Sequence, residues 1–206
     1  NSIKLKSPLI KIEEKKNIFF IDGKVINDQQ NFDINKLKPI LGDLLSAIET
    51  EKIDFNSINT FSFNVNKKLK LNDLKLETNL NLKNFKIVKN PFNLKTFLPN
   101  YTEQVKLEDH KIKIKLTKNI LDIKGDGDIY IGDDLDQSSY SIIINDGKIT
   151  FDTRLNIKNN SLIINFLDYK KKKGDNSDII LKGIYKKNKE LIFKNISIIE
   201  KNNKIL

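Results

Sequence analysis

The sequence predicts a mainly β protein, in which an antiparallel meander forms one elongated, curved (taco-like) sheet accompanied by a single amphipathic helix. The first observation behind this prediction is the alternation of apolar and polar residues from His110 to Tyr169, the pattern of strands with one buried face. The second is the recurrence of short turn signals, such as Asp146-Gly147, which are typical of consecutive hairpins. Strands are therefore expected near residues 111–117, 120–124, 128–132, 140–145, 148–157 and 162–169.

The turn signals also predict which side chains face one another. Two-residue loops suit Lys118-Asn119, Asp146-Gly147 and Asn159-Asn160, whereas a three-residue loop at 125–127 keeps the apolar residues together. Because a slip of one residue would invert a strand, agreement among independent turns supports a single register. The expected partners are Ile114 with Ile123, Leu116 with Leu121, Leu121 with Ile131, Ile123 with Ile129, Ile142 with Phe151, Ile144 with Ile149, Leu155 with Ile164, and Ile157 with Leu162.

This register gives the meander one aliphatic face and one polar face. At about 4.8 Å per strand, six strands make a surface roughly 25 to 30 Å wide, which a helix about 10 Å in diameter cannot cover. Much of the aliphatic face is therefore expected to stay open. The polar face is predicted to carry Lys111, Lys113, Lys115, Asp122, Lys124, Asp128, Thr150, Asp152 and Arg154.

The first part of the chain, residues 1–100, is predicted to hold further strands, a helix at 36–49 and a proline-containing break at 90–101. Within the helix the apolar residues fall on one stripe at helical spacing, and Asn35 is a suitable N-cap. Residues 101–206 hold the meander and are expected to continue the first part as one β-groove segment.

A β-sandwich is the alternative to a single open sheet. In that arrangement residues 1–90 would pack face to face against residues 110–199, and the aliphatic face would be an ordinary core. The two architectures share the same alternation, so the sequence pattern alone leaves both open.

The formal charge of +10 invites a nucleic-acid interpretation, but all of the 37 basic residues except Arg154 are lysine. Arginine supplies the planar fork that reads phosphate and guanine bidentately, so specific nucleic-acid binding is not expected. The sequence has neither cysteine nor methionine, which excludes disulfides and suggests a segment of a longer protein. No apolar run approaches the roughly 20 residues of a membrane-spanning helix.

Catalysis and metal binding have no support in the sequence. His110 is the only histidine and lacks a second histidine at metal-ligating spacing, so a structural role is expected. The acidic run 126–136 lacks the residue order of a calcium loop and is interpreted as turn chemistry. The lysine run 170–173 would suit anionic headgroups but more simply fits a solvated loop. The protein is thus predicted to be non-enzymatic, with no cofactor and no metal.

Several segments resemble the AsmA-like superfamily, in particular its YhdP and TamB type of large bacterial envelope protein. The resemblance rests on LKLETNLNLKNFKI at 74–87, GDGDIYI at 125–131, NDGKITF at 145–151 and NIKNNSLIINF at 156–166. It implies a periplasmic, repeating β-groove that is anchored in the inner membrane by a segment outside this chain, contacts the membrane through such outside parts, and moves phospholipid towards the outer membrane.

From the aliphatic face and this resemblance, the sequence predicts a trough that binds phospholipid acyl chains. Burial of acyl chains gains about 0.8 kcal/mol per CH₂, so weak headgroup selectivity is expected. The rival interpretation is a scaffold domain of the cell envelope, a closed sandwich without a ligand. The predicted acyl-binding residues are Ile112, Ile114, Leu116, Leu121, Ile123, Ile129, Ile131, Ile142, Ile144, Ile149, Phe151, Leu155, Ile157, Leu162 and Ile164.

Overall fold

A computed structural model describes residues 5–37, 52–87, 95, 98–99, 105–165, 168–186, 190–201 and 203–206. Nearly all of these residues lie in antiparallel strands, apart from turns and a short 3₁₀ helix at Ile34–Leu37. The predicted helix at 36–49 lies, beyond its first two residues, outside the described part of the chain. The strands are β1 (Leu5–Lys15), β2 (Ile18–Asp33), β3 (Lys52–Asn66), β4 (Leu71–Ile87), β5 (Val105–Thr117), β6 (Ile120–Ile131), β7 (Asp134–Asn145), β8 (Lys148–Ile157), β9 (Leu162–Ile164), β10 (Tyr169–Lys171), β11 (Ser177–Lys186), β12 (Glu190–Glu200) and β13 (Asn203–Lys204).

Eleven of the strands form a single curved, unclosed sheet whose order follows the chain, β1 to β8 and then β11 to β13. The remaining two, β9 and β10, form a separate hairpin. The first part of the chain does not fold back as a second layer, because β4 pairs with β5 from Lys75↔Thr117 to Ile87↔Val105. The predicted curved antiparallel sheet is thus confirmed, and the β-sandwich alternative is wrong for the described residues.

Two of the predicted turns are confirmed. Asp146 and Gly147 both have positive φ, as a type I′ turn requires, and they place Ile144 opposite Ile149. The same hairpin pairs Ile142 with Phe151, and β8 has the predicted bounds 148–157. The Lys118-Asn119 turn likewise pairs Leu116 with Leu121 and Ile114 with Ile123.

The predicted loop at 125–127 is wrong, since β6 runs without interruption through both glycines. Neither Gly125 nor Gly127 has positive φ, and Ile129 pairs with Leu107 rather than with Ile123. The glycines make room for aromatic rings instead. A Cβ on Gly125 would lie 2.5 Å from the Tyr140 hydroxyl oxygen, and one on Gly127 would lie 2.7 Å from the His110 Cα.

The predicted hairpin at Asn159-Asn160 is also wrong, because a buried carboxylate captures this segment. Asp136 accepts hydrogen bonds from the backbone N–H groups of Lys158, Asn159 and Asn160 at 2.7, 2.8 and 3.2 Å. The chain therefore turns away from β8 instead of reversing beside it. As a result Leu162 pairs with Lys171, and Ile157 pairs with Ser177.

The two ends of the sheet differ in how the strands are connected. At one end, called here the turn end, short turns join β1 to β2, β3 to β4, β5 to β6, β7 to β8 and β11 to β12. At the other, the connection end, the strands are linked through the longer segments 34–51, 88–104 and 158–176 and through two short links, Gly132-Asp133 and residues 201–202. Two buried apolar clusters lie at the connection end, one of them formed with the β9–β10 hairpin.

Candidate functional site

The candidate site is an apolar face with a continuous stripe of side chains near the turn end. Register places one residue from each of nine neighbouring strands in this stripe, and none of them is fully buried. At about 4.8 Å per strand, the stripe is roughly 38 Å long. It consists of Gly23, Phe61, Leu76, Leu116, Leu121, Ile144, Ile149, Tyr185 and Leu191.

A second row runs beside the stripe and is apolar from β5 onward. Ile114, Ile123, Ile142 and Phe151 are neighbours in it and are half-buried. On β11 the row continues at Gly183, where the absent side chain leaves room for the Phe151 ring. The Phe151 ring meets the Phe193 ring edge to face, with 6.0 Å between centroids, so the row extends to β12.

The structure brings together only part of the predicted acyl-binding set. The predicted residues that lie in the stripe or in the second row are Ile114, Leu116, Leu121, Ile123, Ile142, Ile144, Ile149 and Phe151. Ile112 lies on the same face but packs against the buried cluster of Phe32, Ile34, Ile53 and Leu82. The other cluster holds Ile129, Ile131, Ile157, Leu162 and Ile164 in its buried core, and Leu155 packs against it.

The β9–β10 hairpin closes the connection end by contributing Leu162, Ile164 and Tyr169 to this second cluster. Lys171 fixes the hairpin from within, since its buried ammonium donates to the carbonyl oxygens of Lys158, Asn160 and Lys172 at 3.2, 2.6 and 3.0 Å. Burial lowers the pKa of Lys171 below its ordinary value. Acyl contacts at this end would therefore require the hairpin to move.

Sequence reasoning missed the parts of the stripe contributed by Phe61, Leu76, Tyr185 and Leu191. The alternation that places them on one face is present in 55–88 and 178–199. This alternation indicates strands, but without a turn of known register the sequence does not align them with the meander. Pairing of β4 with β5 and of β8 with β11 supplies that alignment.

Polar side chains interrupt the apolar face on β2 to β4. The Ser57 hydroxyl oxygen accepts hydrogen bonds from the side-chain amides of Asn27 and Asn59, at 2.8 and 3.0 Å. Thr78 donates to the Asn59 amide oxygen at 2.8 Å, whereas the buried amide oxygen of Asn27 has no partner. The second row therefore changes from aliphatic to hydrogen-bonding groups at β4.

His110 is a structural residue at the middle of the apolar face. A bulge at Asp109, whose φ is +46°, turns the His110 ring onto Gly127, where it is completely buried. Its Nε2 lies 2.9 Å from the Asp128 carbonyl oxygen, so this nitrogen donates, and the ring stacks on Tyr140 at 5.8 Å. Burial raises the pKa of Tyr140 to about 12. The His110 and Tyr140 rings thus pack directly against the backbone of β6 at Gly127 and Gly125.

The opposite, polar face carries mixed charge. Arg154 donates to Asp178 at 2.5 Å, which lowers the pKa of that carboxyl, and Lys182 pairs with Asp152 at 2.7 Å. A shallow cavity of about 330 Å³ beside Arg154 is lined by acids, amides and lysine. Its charges are balanced by neighbours, so it does not form a stripe of one sign.

Within the described residues, no group of three or more histidine, cysteine, aspartate or glutamate side chains is placed to hold a metal ion. None of the described helices has the length and apolarity needed to cross a membrane.

Comparisons with family models, curated proteins and solved structures found no match to this chain.

Proposed function

We propose that this chain is a non-enzymatic lipid-binding segment of a bacterial envelope protein, whose apolar stripe carries phospholipid acyl chains between the inner and outer membranes. The observation that supports this function is the stripe itself, in which eight neighbouring strands present apolar or aromatic side chains that remain partly exposed. Contiguous exposed apolar surface in a folded protein commonly marks a binding surface. The periplasmic location, and an inner-membrane anchor outside this segment, belong to the same proposal.

The dimensions suit acyl chains lying across the strands. An extended chain advances about 1.2 Å per bond, judging from the roughly 3.6 Å that an extended peptide spans over three bonds. A sixteen-carbon chain, with fifteen bonds, is then about 18 Å long, roughly half of the 38 Å stripe. Each CH₂ removed from water gains about 0.8 kcal/mol, so even partial burial would hold a chain.

The test uses adjacent residues that point to opposite faces of one strand. A photo-crosslinking amino acid at Ile144 is compared with one at Ile143, which lies on the polar face and is 42% exposed. Native mass spectrometry of protein purified from lipid-rich cells should show bound phospholipid, and crosslinks to lipid should form from position 144 only. A clean ligand-free mass without crosslinks would favour a scaffold domain.

A pair of double variants separates lipid binding from folding. Ile123→Asp with Ile144→Asp should abolish lipid occupancy, because each carboxylate must lose water when an acyl chain covers it. The matched control, Ile143→Asp with Ile184→Asp, places the same charges on the opposite face of the sheet. Circular dichroism checks that both proteins fold. Equal lipid occupancy in the two folded variants would contradict the proposal.

A further inference from the structure

The turns at one end of the sheet gather most of the net charge of the chain. This turn rim comprises residues 15–18, 66–71, 117–120, 145–148 and Lys186, all of which lie at the turn end. It holds eight lysines and one aspartate, a net +7 of the chain's +10. At the connection end, the described residues of the segments 34–51, 88–104, 132–134 and 158–176 instead hold seven lysines and four aspartates, a net +3. The charge asymmetry therefore follows the topology of the sheet.

The lysines of the turn rim are available to a partner. All eight are exposed, and within the described part of the chain only Lys15 has an ion-pair partner, Glu13 at 3.1 Å. Successive turns are two strands apart, about 10 Å, so five turns present positive charge along roughly 40 Å. A row of this kind is complementary to a flat anionic surface and attracts it from about a Debye length away.

Exposed aliphatic residues stand among these lysines. Leu69, at the tip of the β3–β4 turn, is 84% exposed, and Leu71 and Ile120 are 49% and 44% exposed. The turn is ordered, because the Asn66 side chain accepts hydrogen bonds from the backbone N–H groups of Lys68 and Lys70 at 3.0 and 3.1 Å. Leu69 itself has a φ of +55° within this turn.

Register shows that this tip projects past the β5–β6 turn, whereas on its other side Asn66 is level with Ile18 beside the β1–β2 turn. Lys75 pairs with Thr117, where β5 ends, so the β3–β4 hairpin extends about four residues, or some 13 Å, past the β5–β6 turn. Leucine on such a projection can enter the interface of a bilayer while Lys67, Lys68 and Lys70 remain among the headgroups. Nucleic acid fits less well, because the rim has neither arginine nor an aromatic residue for stacking.

We propose that the turn rim is a docking surface for an anionic membrane, with the β3–β4 turn inserted at the interface. The partner is a bilayer rich in anionic phospholipid headgroups, which the lysines bind as point charges. This surface belongs to the present chain and is distinct from any anchor elsewhere. It goes beyond the proposed acyl binding, since docking needs only the turns and not an occupied stripe.

The experiment measures co-sedimentation with vesicles of phosphatidylcholine, alone or with about one third phosphatidylglycerol. The unchanged protein should bind only the anionic vesicles, and binding should weaken steeply with salt. Two triple variants carry the same change of charge at opposite ends of the sheet. The rim variant is Lys67→Glu, Lys68→Glu and Lys70→Glu, and the control variant is Lys52→Glu, Lys170→Glu and Lys172→Glu, three exposed lysines at the connection end.

The rim variant should partition about a hundredfold less, the fold-change that corresponds to roughly 1 kcal/mol for each of three lysines. The control variant should bind nearly as the unchanged protein does. Leu69→Ser should lower binding about tenfold without loss of stability, because this side chain has no burial to lose. Equal losses in the two triple variants, or an unchanged protein that ignores anionic vesicles, would overturn the proposal.

Single-stranded RNA added as a competitor tests the other polyanion. Displacement of the vesicles by RNA, with RNA binding that the rim variant loses, would assign the surface to nucleic acid instead. Crosslinking from position 144 is measured in the same proteins. Vesicle binding without acyl crosslinks would refute the proposed function alone, and crosslinks without rim-dependent vesicle binding would refute the docking surface alone.

Discussion

Asp136 is expected to be among the most sensitive positions of the chain, although it has no role in the proposed lipid binding. Its side chain lies on the apolar face opposite Ile129 and is 3% exposed. Besides the three backbone N–H groups of residues 158–160, it accepts a hydrogen bond from the Asn160 side-chain amide at 2.9 Å. This buried carboxylate, with four hydrogen-bond donors, therefore fixes the backbone of residues 158–160, where the chain leaves β8.

Asp136→Ala should lower the free energy of unfolding by about 3 to 5 kcal/mol. Hydrogen bonds to a charged group contribute about 1.5 to 3 kcal/mol each, and a buried donor left without a partner costs about 1 to 3 kcal/mol. The full sum is not expected, because Lys158 is exposed and water can satisfy its N–H, whereas Asn160 is buried. The apolar side chains of the β9–β10 hairpin also hold it in place.

Urea unfolding monitored by circular dichroism measures this change, and hydrogen exchange locates it. Amides of residues 158–171 should lose protection first, while those of β6 and β7 near the turn end keep theirs. Asp126→Ala, an exposed aspartate on the polar face of β6, serves as the matched control and should change stability by less than about 0.5 kcal/mol. A loss below about 1 kcal/mol for Asp136→Ala would refute the assignment of Asp136 as the anchor of the hairpin.

Two further predictions concern the stacked rings of His110 and Tyr140 on the apolar face. Gly127→Ala should lower the free energy of unfolding, measured in urea, by about 3 kcal/mol, because the added Cβ would lie 2.7 Å from the His110 Cα and the backbone there cannot move aside. The control is Gly147→Ala, where the Cβ would meet open space but φ is +74°, and it should cost nearer 1 kcal/mol. Equal losses in the two variants would contradict the steric argument. Because the pKa of Tyr140 is raised to about 12, its neutral form is favoured in the folded state, so the corresponding stability is complete below pH 10 and is lost between about pH 10 and 12. Relative to Tyr140→Phe, the unchanged protein should lose up to about 2 kcal/mol over that interval, and parallel pH profiles would exclude the effect.

Local turn chemistry predicted the parts of the fold that short segments can specify. Asp146-Gly147 forms the expected turn because positive φ is available to both residues, and at Lys118-Asn119, where only Lys118 has positive φ, the flanking apolar residues still agree on one face. The same logic failed at Asn159-Asn160, where a tertiary contact from Asp136 outcompetes the local turn. A residue more than 20 positions away cannot be found from turn preferences alone.

The glycines of β6 show a second limit. In sequence, Gly125 and Gly127 flank an aspartate and have the composition of a loop, but in the sheet they are positions where two rings lie against the backbone. Whether a glycine serves a turn or a close contact depends on what pairs opposite it, here Tyr140 and the bulge residue His110. For the candidate site, alternation correctly grouped the central aliphatic residues, but it could not reveal which of them a distant hairpin would cover.

Connection length accounts for the difference between the two ends of the apolar face. A turn of two to four residues cannot reach back over the sheet it joins, so none of the described turns covers the face beside the turn rim, and its side chains stay half-exposed. Three connections at the other end are much longer, and the segment between β8 and β11 returns with a hairpin that buries Ile131 and Ile157. Openness of the stripe and exposure of the turn-rim lysines are therefore consequences of the same topology, which places the proposed acyl-binding surface directly beside the proposed membrane-docking surface.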